Sequence, residues 1–102
     1  MEKKPILVVD DEKKIRLTVS QSLESLEIPV NTAVNGEEAL RMLRKTQFCM
    51  VFLDLKMPGM DGIEVLRKIK ENWSKTRVVI ITAHGTIESA VEAMKLGAVD
   101  FI

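Results

Sequence analysis

Tyrosine is absent from these 102 residues, and cysteine, histidine and tryptophan occur once each. A single cysteine excludes a disulfide within the chain, and a single histidine, His84 beside Gly85, cannot build a zinc site and reads as a solvated loop residue. With no tyrosine, and with Trp73 at the end of a predicted helix, there is no surface on which a flavin would stack. Charge of one sign is also lacking. Lys+Arg and Asp+Glu both number 15, so the overall balance favours neither direct nucleic-acid binding nor an anionic membrane. No apolar run approaches the roughly 18 residues of a membrane span, and Met1-Glu2-Lys3-Lys4 enters a strand without the apolar stretch of a signal peptide. A reducing cytoplasm is the expected setting. Cys49, within an apolar predicted strand, is expected to be a buried structural thiol. Neither a G-x-G-x-x-G nor a P-loop pattern occurs, and there is no internal repeat or linker.

What is present is a regular alternation of apolar strands and amphipathic helices, with 46% hydrophobic content, which predicts one domain over residues 1–102 built on a parallel sheet. Ile6-Leu7-Val8-Val9 reads as the first strand. Ile15, Val19, Leu23 and Leu26 then recur at helical spacing, and Pro29 closes that segment before a short strand from Val30 to Ala33. Asn35 followed by Glu38 predicts a capping box for a helix with Ala39, Leu40 and Leu43 inward. Asp61 and Glu64 repeat the device for a helix burying Ile63, Leu66 and Ile69. Val78-Val79-Ile80-Ile81 forms a fourth strand ending at Thr82, and Ile87, Ala90, Val91 and Met94 mark the inner face of a fourth helix. Gly97 supplies a left-handed stop before a fifth strand, Ala98 to Ile102. Met42, Met57, Met60 and Met94 read as core and loop filler.

The chemistry lies where two apolar runs end. The first gives way to Asp10 and Asp11, and the run Phe48-Cys49-Met50-Val51-Phe52-Leu53 gives way to Asp54. Continuous apolar runs of this kind belong to strands covered on both faces, so the first acid marks the exit from the core. In a parallel sheet of order 2-1-3-4-5 these carboxylates meet at the point where strand order reverses, with Thr82 on the adjacent strand. At about 4 Å and an effective dielectric near 20, each like-charged pair would cost roughly 4 kcal/mol without a cation. The cluster therefore predicts a hard divalent metal, Mg²⁺. Either aspartate of the first pair would alone read as a helix cap. Two of them, with a third on another strand, favour a metal site.

At these residues the sequence resembles the receiver domain of two-component response regulators, essentially from end to end. The matching segments are Val8-Val9-Asp10-Asp11, Leu53 through Gly62, Ile81-Thr82-Ala83 and Gly97 through Ile102. The resemblance implies a flavodoxin-like, doubly wound five-stranded sheet and transfer of a phosphoryl group from a histidine kinase or phosphotransfer protein to Asp54. Mg²⁺ would be held by Asp10, Asp11, Asp54 and the Lys56 backbone carbonyl, Thr82 would bond the phosphoryl oxygen, and Phe101 occupies the place of the switch aromatic. The fourth helix is similar to that of nitrogen-regulation-type transcriptional activators. One departure is that the family's phosphate-binding lysine would fall just after Ile102. The chain is accordingly expected to be a receiver truncated at strand five, without the final helix. Ile6, Val8, Val19 and Leu23 should then be partly uncovered, leading to self-association or marginal folding.

Readings of other classes fare less well. An aspartyl-nucleophile phosphatase would need an acid two residues after Asp54, where Lys56 stands. A non-phosphorylated binding or dimerisation module of the same fold is the alternative, and it should not bind Mg²⁺. The expected product is a signalling switch rather than a conventional enzyme.

Overall fold

A computed structural model describes residues 4–57, 59–81 and 87–101. Within them the chain alternates strand and helix: β1 (Ile6–Val9), α1 (Lys13–Glu24), β2 (Val30–Ala33), α2 (Gly36–Lys45), β3 (Met50–Asp54), α3 (Gly62–Asn72), β4 (Arg77–Ile81), α4 (Ile87–Lys95) and β5 (Asp100–Phe101). The strands pair in parallel in the order β2-β1-β3-β4-β5. Four of them are four or five residues long, and β5 is a two-residue strand. The path leaves β1 for β2 on one side and returns across β1 to β3 on the other. Right-handed crossovers consequently place α1 on one face and α2 and α3 on the opposite face.

Helix starts follow from local hydrogen bonding. Asn35 N-caps α2 by accepting from the Glu38 N–H at 2.8 Å, and Glu38 reaches back to accept from the Val34 N–H at 3.2 Å. Asp61 does the same for the Glu64 N–H at 3.0 Å at the start of α3. Each such cap is worth about 1 kcal/mol. Helix α4 ends in a Schellman arrangement. Gly97 has φ +108°, its N–H donates to the Met94 carbonyl, and the Ala98 N–H donates to that of Ala93.

The principal core lies on the α2 and α3 side of the sheet, where Leu7, Val9, Val51, Leu53, Val78 and Ile80 meet Leu40, Leu43, Val65, Leu66 and Ile69. Val65 is fully buried, whereas Ile63 is only partly so, because α3 turns the Val65–Leu66–Ile69 stripe inward. On the other face α1 is held by half-buried side chains, Ile15, Val19 and Leu23 among them, and none of its residues is fully buried. Ile6 and Val8, expected to be partly uncovered, are nevertheless 4% and 0% exposed. Helix α1 packs on β1 and β2 and covers them. Register puts Met50 beside Ile6 and Phe52 beside Val8, and it is these two β3 side chains that stay half-buried.

Three further expectations are corrected. Leu26 lies in the turn after α1 and is 52% exposed, because α1 stops at Glu24. Cys49 is exposed and precedes β3, its N–H bonded to the Pro5 carbonyl at 3.0 Å, and the buried neighbour is Phe48. On α4 Ala93 is buried and Val91 and Met94 are exposed, while the side chain of Ile87 lies outside the described residues. A helix near the sheet edge meets the core along a strip narrower than its apolar stripe.

Candidate functional site at the carboxyl ends of β1 and β3

Strands β1 and β3 are neighbours, with Val9 opposite Leu53, so the residues that follow leave the sheet together. Asp10 is still tied to the sheet, its N–H donating to the Ala33 carbonyl in β2 at 3.2 Å. Asp54 is the last residue of β3 and pairs with Ile81 of β4. Side-chain oxygens of Asp10, Asp11 and Asp54 all lie within 4.8 Å of one another. Asp10 and Asp54 are buried, at 4% and 7% exposure, and Asp11 is exposed. The strand ends thus bring together the three acids that the sequence singled out.

The first acidic pair does not cap α1 in the ordinary sense. The N-cap position is Glu12, which makes no side-chain capping bond. Asp10 instead folds back one turn earlier, its Oδ1 accepting from the Glu12 N–H at 2.9 Å. Burial pushes the Asp10 carboxyl up from 3.8 to about 6. The bond from the Glu12 N–H opposes that rise, and the charges of Asp54, Asp11 and Glu12 add to it.

Because the folded form of Asp10 titrates near 6 rather than 3.8, its contribution to stability is fully present below about pH 4 and is lost as pH rises through about 6. In EDTA, Asp10→Asn should therefore gain on the parent as pH increases, by about 1–2 kcal/mol once partial solvent contact is allowed for. Urea unfolding at pH 4.5 and 7.5 reads the gap between the two chains. A gap that stays constant or narrows toward pH 7.5 contradicts the buried, mutually repelled arrangement.

Asp54 is oriented by the loop that follows it. Its Oδ1 accepts from the Lys56 N–H at 3.1 Å, while Leu55 and Met57 are buried and the Lys56 side chain is exposed. The loop closes when the Gly62 N–H, in the first turn of α3, donates to the Leu55 carbonyl at 3.1 Å. A Cβ at position 62 would overlap the Asp54 carbonyl oxygen and the Leu55 Cα. Glycine is required there by close approach, a role not assigned to Gly62 from the sequence, although the Asp61-Gly62 pair at a helix start was a visible signal. Asp61 itself is a cap and not part of the acid group. Thr82 and His84 lie outside the described residues, as does the side chain of Phe101. A cavity of about 510 Å³ is lined by Lys4, Phe48, Cys49, Trp73 and Lys75. It lies where strands enter the sheet and is remote from the acids.

The donor set suits a small hard cation. Mg²⁺ takes oxygen ligands at about 2.0–2.1 Å in an octahedron, so its ligand oxygens lie roughly 3–4 Å apart, a small contraction from the spacing seen here. Two buried acids and one exposed acid, with one carboxyl already driven toward its neutral form, have the electrostatics of a site that a divalent ion would relieve.

Fold and site together define a doubly wound α/β domain with an acidic centre at its topological switch point. The response regulator receiver domain model matches residues 6–102, and the chain belongs to that family. It is 40% identical over 97 residues to the transcriptional regulatory protein FixJ of Bradyrhizobium diazoefficiens, covering 95% of this chain and 47% of that protein. The receiver domain of NtrX from Brucella abortus superposes with a TM-score of 0.90 at 40% identity, covering 95% of this chain and 82% of that one. TrrA from Thermotoga maritima, solved in complex with Mg²⁺-BeF, gives 0.87 at 33% identity, with 97% and 84% covered. The chain spans less than half the length of several of the curated relatives it matches, 21% in one case and 47% in another.

Proposed function

We propose that this domain is the phosphoacceptor of a two-component system, receiving a phosphoryl group on Asp54 and switching an output surface in a transcriptional regulator. The observation that carries the reading is the convergence of Asp10, Asp11 and Asp54 within 4.8 Å at the ends of two adjacent strands. A carboxylate is a competent nucleophile for phosphoryl transfer, and what the protein must supply is positioning and charge neutralisation. An Asp54 oxygen attacks the phosphorus of a phosphohistidine on the kinase. The P–O bond forms as the P–N bond breaks, and the imidazole leaves with the electron pair. The hydrogen bond from the Lys56 N–H holds one Asp54 oxygen and so fixes the direction of the carboxylate.

Asp10, Asp11, Asp54 and the Lys56 backbone carbonyl would hold Mg²⁺. Bound there, Mg²⁺ would neutralise the charge between the carboxylates and the phosphoryl oxygens. Thr82, the next residue in sequence after β4, would bond the phosphoryl group, and Phe101 would respond as the switch aromatic. The Mg²⁺-BeF complex of TrrA supports the metal assignment by likeness. Among the described residues no helix is long and apolar enough to cross a membrane.

The test is incubation with acetyl phosphate, which should yield hydroxylamine-labile phosphate in Mg²⁺ and none in EDTA. Mg²⁺ should also raise the melting point, since at ten times Kd selective binding to the folded chain adds about 1.4 kcal/mol. Asp11→Ala removes a ligand and should shrink that shift to less than half. An undiminished shift would remove Asp11 from the ligand set, and no shift in the parent would favour the non-phosphorylated binding module.

A further inference from the structure

Arg16 is not one of the acids, yet it touches the backbone that carries them. It stands on α1, and its Nη1 donates to the main-chain carbonyl of Asp10 at 2.6 Å. That carbonyl and the amide nitrogen of Asp11 belong to one planar peptide group. Fixing the oxygen therefore fixes the direction in which the chain delivers Asp11. The other two polar groups of Asp10 are held as well, its N–H by the Ala33 carbonyl and its Oδ1 by the Glu12 N–H. Arg16 supplies the third restraint and the only one of the three that comes from a side chain of α1.

The contact is short and charge-assisted, the stronger class of hydrogen bond. Its acceptor is a carbonyl, so it uses none of the carboxylate oxygens a cation would need. Asp11 is exposed, and a flexible ligand on a free loop would lose conformational entropy on binding. A half-buried Arg16 whose guanidinium holds the Asp10 carbonyl lowers that loss beforehand.

We propose that Arg16 is a positioning residue of the acidic centre, which presets the Asp10–Asp11 peptide for divalent cation binding. This rests on the metal reading given above, and the experiment separates the two. Mg²⁺ binding is measured by calorimetry on the parent chain, Arg16→Met and Arg16→Lys, together with thermal unfolding of each in EDTA and in Mg²⁺. Methionine keeps an apolar stem and removes every donor. Its Kd should rise about tenfold or more, the usual scale for losing a group that orients a ligand. Lysine keeps the charge and a donating nitrogen but not the planar fork, and should fall between.

A merely structural role would lower the melting temperature equally in EDTA and in Mg²⁺ and leave Kd unchanged, and that result overturns the proposal. If Arg16→Met unfolds in EDTA, Arg16→Lys decides, an unchanged Kd again overturning it. A parent chain that binds Mg²⁺ while both variants match it sinks the role of Arg16 alone. A parent that binds no Mg²⁺ sinks the metal reading and this inference with it.

Discussion

Asp54→Asn should abolish phosphoryl uptake from acetyl phosphate, lowering hydroxylamine-labile incorporation at least a hundredfold. Asparagine is nearly isosteric, and its side-chain oxygen can still accept from the Lys56 N–H, so the loop geometry survives. What disappears is the anionic oxygen that attacks phosphorus. Removing one of three converging negative charges should leave the metal-free fold at least as stable as the parent, by up to about 1 kcal/mol. Loss of uptake without loss of stability is the signature of a nucleophile rather than of a buried structural acid. Asp10 is the nearest rival, but burial drives its carboxyl toward the neutral form, which makes it the poorer nucleophile. Intact mass and peptide mapping after phosphorylation read the result. Labile phosphate on the Asn variant at the parental level would refute the assignment.

Gly62→Ala sets two effects of opposite sign against each other. Replacing glycine by alanine in a helix favours folding by up to about 1 kcal/mol, less in the first turn. The new methyl group, however, would overlap the Asp54 carbonyl oxygen and the Leu55 Cα, both main-chain atoms that no rotamer change can move. Overpacking of a tight site costs about 1–3 kcal/mol and occasionally more, and rigid backbone on the other side places this case at the upper end. The clash wins. The expected net loss is about 2 kcal/mol, or a fall of roughly 8–16 °C in melting temperature for a domain of this size. Relief must come through the β3–α3 loop, which carries the Lys56 N–H bond to Asp54, so the variant should also phosphorylate more slowly than its stability explains. Asp61→Ala is the control. It removes a cap one residue away at a cost of about 1 kcal/mol without pressing on Asp54. Unfolding curves for Gly62→Ala that coincide with the parent or lie above it would show that the loop yields freely.

The sequence by itself determined the features that depend on near neighbours. The alternation of apolar runs and helical periodicity places strands β1 to β4 in a parallel sheet; β1, β3 and β4 read as apolar runs because both their faces are covered, whereas the edge strand β2 keeps Asn31 and Thr32. The caps Asn35 with Glu38 and Asp61 with Glu64, and the left-handed Gly97, are hydrogen-bond devices spanning three to five residues, and they are found where the spacing puts them. The three acids were legible because each ends an apolar run. Tertiary structure alone decided the rest. Leu26, Val91 and Met94 satisfy helical spacing yet lie exposed, since exposure depends on how much of a helix the sheet can cover. Cys49 looks buried in a linear run, but the strand begins one residue later and the chain turns its thiol outward. Nothing in a string of letters brings the Arg16 guanidinium onto the Asp10 carbonyl or lays position 62 against the Asp54 peptide. Those contacts exist only once α1 and α3 have packed on the sheet, and packing is a property of surfaces that meet in three dimensions, not of residues that are adjacent in the chain.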